Sequence, residues 1–165
     1  RVPGFETGVT SVLASNQVTC ATKGGALYCW GANGDGQLGL GNTTTSSARN
    51  PTTTALTPIA NFGAGVTSVS GHGNTVCAIK SGALSCWGAN NRAQVGNNAT
   101  ADVSTPFTHT ILAAPMIHVA TGQFHSCAIR NGFLYCWGNN SQGQLGYGNT
   151  TNKLQPDVPV PLVLN

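Results

Sequence analysis

Charge is scarce in this chain of 165 residues, with 7% of positions ionised and only four acidic side chains, Glu6, Asp35, Asp102 and Asp157. These fall at unrelated places and form no pair suited to acid and base roles. The seven basic residues, Arg1, Lys23, Arg49, Lys80, Arg92, Arg130 and Lys153, are spread singly. A nucleic-acid footprint needs a stripe of such charges, so no nucleic-acid partner is expected. No run of 18 apolar residues occurs, which excludes a membrane-spanning helix. An amphipathic helical pattern is also missing. The start at Arg1 without Met suggests that a leader has been removed.

Metal and cofactor signatures are equally thin. A zinc site wants about four convergent ligands in spacings such as Cys-x2-Cys or His-x3-His, and neither is present. His72, His109, His118 and His125 form no local set with a serine and an acid, so each reads as a surface or packing residue. The glycines of GANGDGQLG from Gly31 lack the Lys-Ser/Thr of a phosphate loop and read as turns. No cofactor is expected.

What is abundant is small and neutral. With 22 Gly, 8 Pro and short β-branched runs, the chain reads as all-β with closely spaced turns. Ser, Thr, Asn and Gly hold the mean hydropathy near zero without charge.

Three segments superimpose: CATKGGALYCWG from Cys20, CAIKSGALSCWG from Cys77 and CAIRNGFLYCWG from Cys127. Val12, Val69 and Val119 each precede the first Cys by the same interval, and Asn33, Asn90 and Asn140 each follow the Trp by the same interval. The motif tails GDGQLG, NRAQVG and SQGQLG align Gln37, Gln94 and Gln144. A period of roughly 50 residues holding several short strands suits a propeller blade. One domain, 1–165, is expected, with repeats at about 9–65, 66–115 and 116–165. The Thr- and Pro-bearing segment TTTSSARNPTTTALTP reads as an outer loop and peripheral strand.

Each repeat carries Cys-x8-Cys with a two-residue turn signal in the middle: Gly24-Gly25, Ser81-Gly82 and Asn131-Gly132. Counting outward from the first turn pairs Lys23 with Ala26, Thr22 with Leu27, Ala21 with Tyr28 and Cys20 with Cys29. The alternation of an antiparallel ladder puts this last pair at a narrow site, with Cα atoms roughly 4.5 Å apart and within reach of a disulfide. Bridges Cys20–Cys29, Cys77–Cys86 and Cys127–Cys136 are therefore expected. Each closes a short loop, worth about 2 to 3 kcal/mol. Their larger message is an oxidising compartment, and a secreted, extracellular or cell-surface location is expected.

Trp30, Trp87 and Trp137, with Leu27, Leu84 and Leu134, are the expected repeat core, packing between blades. Asn42, Asn98, Asn139 and Asn149 match the N-glycosylation pattern, in number close to chance for this composition. Asn42 and Asn149 share one GNTT loop position and should be exposed.

The Cys-Ala-Ile strand, Gly-bearing turn, Leu-Tyr-Cys-Trp-Gly strand and Gly-Gln-Leu-Gly loop together resemble the repeats of the regulator-of-chromosome-condensation (RCC1) family. The third copy, GQFHSCAIRNGFLYCWGNNSQGQLGYGNTT, resembles them most closely. The resemblance implies blades of four-stranded antiparallel sheets in a propeller, usually closed with seven blades. Three repeats alone make an incomplete ring with two uncovered blade faces. It also implies binding rather than catalysis. The founding member resembles this chain in fold but serves a small GTPase and chromatin, a nuclear setting at odds with disulfides. The expected function is a non-enzymatic binding or structural module whose partner is a protein or further copies of itself, assembling into a ring or fibre; the other reading of three repeats is an excerpt of a longer propeller. Alternatives are a lectin-like module using the Trp, Tyr28 or Tyr135 and Asn columns for glycans, a secreted ligand or enzyme inhibitor, and, least, a hydrolase.

Overall fold

The computed structural model describes residues 1–44, 56–110 and 115–156. Among them lie ten strands: β1 (Val9–Ser15), β2 (Val18–Lys23), β3 (Ala26–Gly31), β4 (Val66–His72), β5 (Thr75–Lys80), β6 (Ala83–Gly88), β7 (Val103–Thr108), β8 (Met116–Thr121), β9 (His125–Arg130) and β10 (Phe133–Gly138). They form three antiparallel sheets in the orders β1-β2-β3, β4-β5-β6-β7 and β8-β9-β10. No described residue is helical.

The central hairpin of each sheet follows from its turn. Gly24 and Gly25, Ser81 and Gly82, and Asn131 and Gly132 all have positive φ, from 49° to 81°. That is the type I′ conformation, whose twist matches the flanking strands. It sets the register Lys23↔Ala26, Thr22↔Leu27, Ala21↔Tyr28 and Cys20↔Cys29, repeated at Cys77↔Cys86 and Cys127↔Cys136. All three cysteine pairs are bonded, with Cα atoms 4.1 Å apart, and no cysteine is free. The first strand of every sheet carries a register shift at one equivalent place, Val9/Ser11, Val66/Ser68 and Met116/His118. The glycine after each Trp has φ near +100° and abuts the backbone of the preceding turn. A Cβ on Gly31, Gly88 or Gly138 would collide with the carbonyl of Gln17, Asn74 or Phe124.

Four strands were expected in every blade, and among the described residues only the middle sheet has them. Its β7 pairs with β6 through Gly88↔Val103, Cys86↔Phe107 and Ser85↔Thr108. In the third sheet the equivalent contact is a single bridge, Gly138↔Lys153, and residues 157–165 lie outside the described ones. In the first, most of the Thr-rich segment expected to supply the strand, 45–55, lies outside them as well.

The sheets pack face on face, with β1, β4 and β8 innermost and β4 in contact with the other two. Each sheet has a leading face toward the preceding repeat and a trailing face toward the next. Between the first two sheets lie Leu13, Cys20, Cys29, Leu27, Leu38, Ile59 and Phe62 on one side, with Val76, Ala78 and Trp87 on the other. Between the second and third lie Cys77, Cys86, Ile79, Leu84 and Val95, facing Val119, Ala128, Tyr135 and Trp137. Each fully buried Leu contributes about 2 kcal/mol, and each of these two disulfides is sealed inside a joint.

Candidate interaction surface

The polar residues that recur are engaged in closing their own loops. Asn33, Asn90 and Asn140 are fully buried just after their strands. Their Oδ1 atoms accept the N–H of Leu38, Val95 and Leu145 at 2.9–3.0 Å. Their Nδ2 atoms donate to the returning loop: to Asn42 O, to Ala99 O and Ala101 O, and to Asn149 O and Thr151 O. One amide thus closes each loop from within. The Oε1 atoms of Gln37, Gln94 and Gln144 accept the N–H of Asp35, Arg92 and Gln142.

Those loops form the joints. The carbonyl of Gln37 accepts the indole N–H of Trp87 at 3.0 Å, and that of Gln94 accepts the indole N–H of Trp137 at 2.9 Å and the Ser126 hydroxyl at 2.8 Å. Gly39 and Gly96 lie against these indoles: a Cβ would stand 3.0 Å from Trp87 Nε1 or 2.5 Å from Trp137 Nε1. Behind the first two hairpins the linker to the next repeat bonds to the backbone of the Leu. Leu27 N donates to Phe62 O, Ile59 N to Leu27 O, and His109 N to Leu84 O, all at 2.8–2.9 Å.

Among the described residues the outermost faces lack these partners. Leu134, expected in the repeat core beside Leu27 and Leu84, is 53% exposed, and its neighbour Phe133 is 59% exposed. This corrects the expectation: Leu27 and Leu84 are covered by the linker and sheet that follow, and no further sheet follows the third among the described residues. Trp30 is likewise only half-buried, against Trp87 and Trp137 at 0% exposure. Its ring meets Phe5 at 5.3 Å instead of a neighbouring sheet. The Trp and Asn columns that a repeated sugar pocket would use are therefore mostly buried.

Non-recurring polar groups converge elsewhere. The turns after β1, β4 and β8 meet at one end of the inner strands around a depression of about 360 Å³, lined by Ser15, Asn16, His72, Gly73 and Gln123. Ser15 Oγ donates to Gly73 O at 3.0 Å, and Asn74 Nδ2 to Asp35 Oδ2 at 2.6 Å. His125 stands beside it, and burial, with the neighbouring His72 charge, lowers its pKa. Asn16, His72 and Gln123 are exposed.

Other ionisable groups are scattered. His109 is 5% exposed between Phe107 and Trp137, and burial lowers its pKa to about 4. Glu6 is exposed, its pKa lowered by its own backbone N–H and that of Gly4. Among the described residues no three His, Cys, Asp or Glu side chains gather as metal ligands, and no helix is long and apolar enough to cross a membrane. Asp157 lies outside the described residues. Of the four glycosylation motifs, Asn98 and Asn149 are exposed, and Asn42 and Asn139 are half-buried. Asn42 Oδ1 accepts the Thr44 N–H and hydroxyl, and Asn149 Oδ1 accepts the Thr151 N–H. Both GNTT asparagines thus close their own turns.

The model of the regulator of chromosome condensation (RCC1) repeat matches residues 24–79, 81–129 and 131–164. The chain belongs to the RCC1 repeat family. Among solved structures it is similar to human WBSCR16, at a TM-score of 0.72 and 22% identity over 93% of this chain and 38% of that one. It is similar to Prp20p of Saccharomyces cerevisiae, at 0.68 and 20% over 90% and 37%, and to the ectodomain of the receptor kinase CR4 of Physcomitrella patens, at 0.52 and 18% over 88% and 34%. These likenesses show the fold, and the chain spans less than two fifths of the length of each.

Proposed function

We propose that this RCC1-repeat chain is a non-enzymatic, extracellular protein-binding module that engages a partner at the axial end where the turns after β1, β4 and β8 converge. One observation carries the reading. The polar side chains common to all repeats are consumed in closing loops, whereas the exposed polar groups that differ between repeats gather around the depression at Asn16, His72 and Gln123. A surface unlike itself from repeat to repeat suits recognition of an irregular protein surface. Prp20p is described with binding to Gsp1p and histones, and CR4 contributes an ectodomain, so protein binding and an outside location both have precedent on this fold. Three intrachain disulfides support an oxidising compartment.

The test is retention of a protein from the extracellular fraction of the source organism on immobilised chain. The double variant His72→Ala, Gln123→Ala should lose that protein while unfolding at an unchanged temperature. Undiminished retention by this variant would remove the axial end from consideration. Recovery of the chain from its native source with its six cysteines reduced would remove the extracellular location.

A further inference from the structure

We propose that Asn131 is a site of spontaneous covalent modification, where the Asn131-Gly132 turn converts through a cyclic imide into aspartate and isoaspartate. The proposal goes beyond the binding reading and is independent of the axial end.

Asparagine is chemically labile, most of all before glycine, whose amide nitrogen has no Cβ beside it to hinder attack on the asparagine Cγ. This chain has two such pairs, Asn33-Gly34 and Asn131-Gly132. The fold treats them oppositely. Asn33 is fully buried; its Nδ2 donates to the main-chain O and the Oδ1 of Asn42, both at 3.0 Å, and its Oδ1 accepts the Leu38 N–H at 3.0 Å. Its carboxamide cannot turn toward Gly34 without undoing the loop. Asn131 is exposed at the tip between β9 and β10, and its carboxamide has no hydrogen-bond partner among the described residues. This exposure belongs to the place in the hairpin. Gly24 and Ser81 occupy the same place in the first two hairpins, where the linker to the next sheet is bonded to the adjoining Gly25 and Gly82, and both are exposed. Asn131 sits in its turn with a φ of 50°, and attack requires it to swing out. Only the rung Arg130↔Phe133 has to part for that, and a hairpin tip opens more readily than a buried loop.

In the reaction the Gly132 nitrogen bonds to Asn131 Cγ, the bond from Cγ to Nδ2 breaks, and Nδ2 leaves as ammonia with the amide proton. Water then opens the imide. Cleavage between the nitrogen and Cγ gives aspartate, and cleavage between the nitrogen and the main-chain carbonyl carbon gives isoaspartate, with one more atom in the main chain. Nothing is oxidised or reduced. Either product places a carboxylate next to Arg130. Isoaspartate also lengthens a two-residue turn whose closure depends on two left-handed residues. The change is confined to the tip, because the Cys127–Cys136 bridge ties the two strands three rungs further in.

Incubation of the purified, disulfide-bonded chain at mildly alkaline pH, followed by reduction and peptide mass spectrometry, tests this. Acid is expected at residue 131 roughly 100-fold faster than at residue 33, since the three hydrogen bonds of the Asn33 carboxamide each slow its release by about fivefold. In urea, with the disulfides reduced, the two rates should converge. Ser81→Asn puts the same pair into the second tip, where the following linker and sheet are in place, and residue 81 should then gain acid within about tenfold of the rate at residue 131. Equal rates at residues 33 and 131 in the folded chain overturn the proposal. So does a folded Ser81→Asn variant whose new pair keeps its amide while residue 131 loses its own, or an Asn131 that persists in the folded chain while the unfolded chain is consumed. None of these outcomes bears on whether a protein occupies the axial end.

Discussion

The two internal joints follow one backbone plan and differ in what fills it. Ile59 closes the first and His109 stands at its place in the second, each donating its N–H to the equivalent Leu. The first joint is hydrocarbon around Trp87, with Phe62 at 5.6 Å. The second encloses an imidazole 5.2 Å from Phe107 and 5.4 Å from Trp137, its Nε2 buried without a partner among the described residues. The contrast teaches that the joint is located by main-chain hydrogen bonds and the Trp–Gln pair. The side chain at this place is under no equal constraint, and chemistry can enter there without moving a sheet.

The strongest way to break the comparison is to remove the indoles. Trp87→Ala should cost about 4 kcal/mol in urea unfolding, within the range for deleting a buried aromatic. Trp137→Ala should cost less, because water entering the cavity would reach the His109 nitrogen. Equal losses would mean that the orphaned imidazole is of no consequence.

Acid comes next. The His109 pKa of about 4 lies below the ordinary value of 6.5, so the unfolded chain binds more protons between these two pH values. Stability attributable to this group is complete above about pH 6.5 and is lost as the pH falls toward 4, to a total on the order of 3 kcal/mol. His109→Ile, copying the first joint, should flatten that part of the curve in unfolding measured from pH 7 to pH 4. An unchanged slope would place the acid sensitivity elsewhere.

Gly39→Ala and Gly96→Ala sharpen the contrast further. Both positions have positive φ, which costs an L-residue about 1 kcal/mol or more. At Gly96 the added carbon also falls 2.5–2.6 Å from Trp137 and 3.0 Å from His109, against 3.0–3.3 Å from Trp87 and Ile59 at Gly39. Gly96→Ala should therefore lower the melting temperature more. The smallest effect is kinetic: with a mild reductant, Cys127–Cys136 should open before the other two, since Cys127 is half-buried while Cys20 and Cys77 have no exposure. Mass spectrometry after alkylation would show the order.

The hairpins were legible in the sequence because a two-residue turn dictates pairing by counting, and the cysteine partners follow from the count. The repeat core was legible only by column. Trp87, Trp137, Leu27 and Leu84 are buried, yet Trp30 and Leu134 share those columns and remain accessible, because burial here belongs to a pair of sheets and the outermost faces have no second sheet among the described residues. The buried Asn33, Asn90 and Asn140 stood in register in the sequence, but their role did not. Their acceptors are mostly loop carbonyls, which leave no side-chain signature. His109 escaped as well: its equivalence to Ile59 spans connections of unequal length and appears only once both main chains are seen bonded to a Leu. The axial cluster draws on three turns far apart in the chain.

The matched repeat units begin at the hairpin tips, near Gly24, Ser81 and Asn131, whereas every disulfide spans such a tip. The second and third bridges therefore rivet the end of one unit to the start of the next, and the first rivets residues ahead of the first unit to its start. A protease that clipped all three tips would cut the polypeptide into four pieces and release none of them, and the nicked molecule would come apart only after reduction.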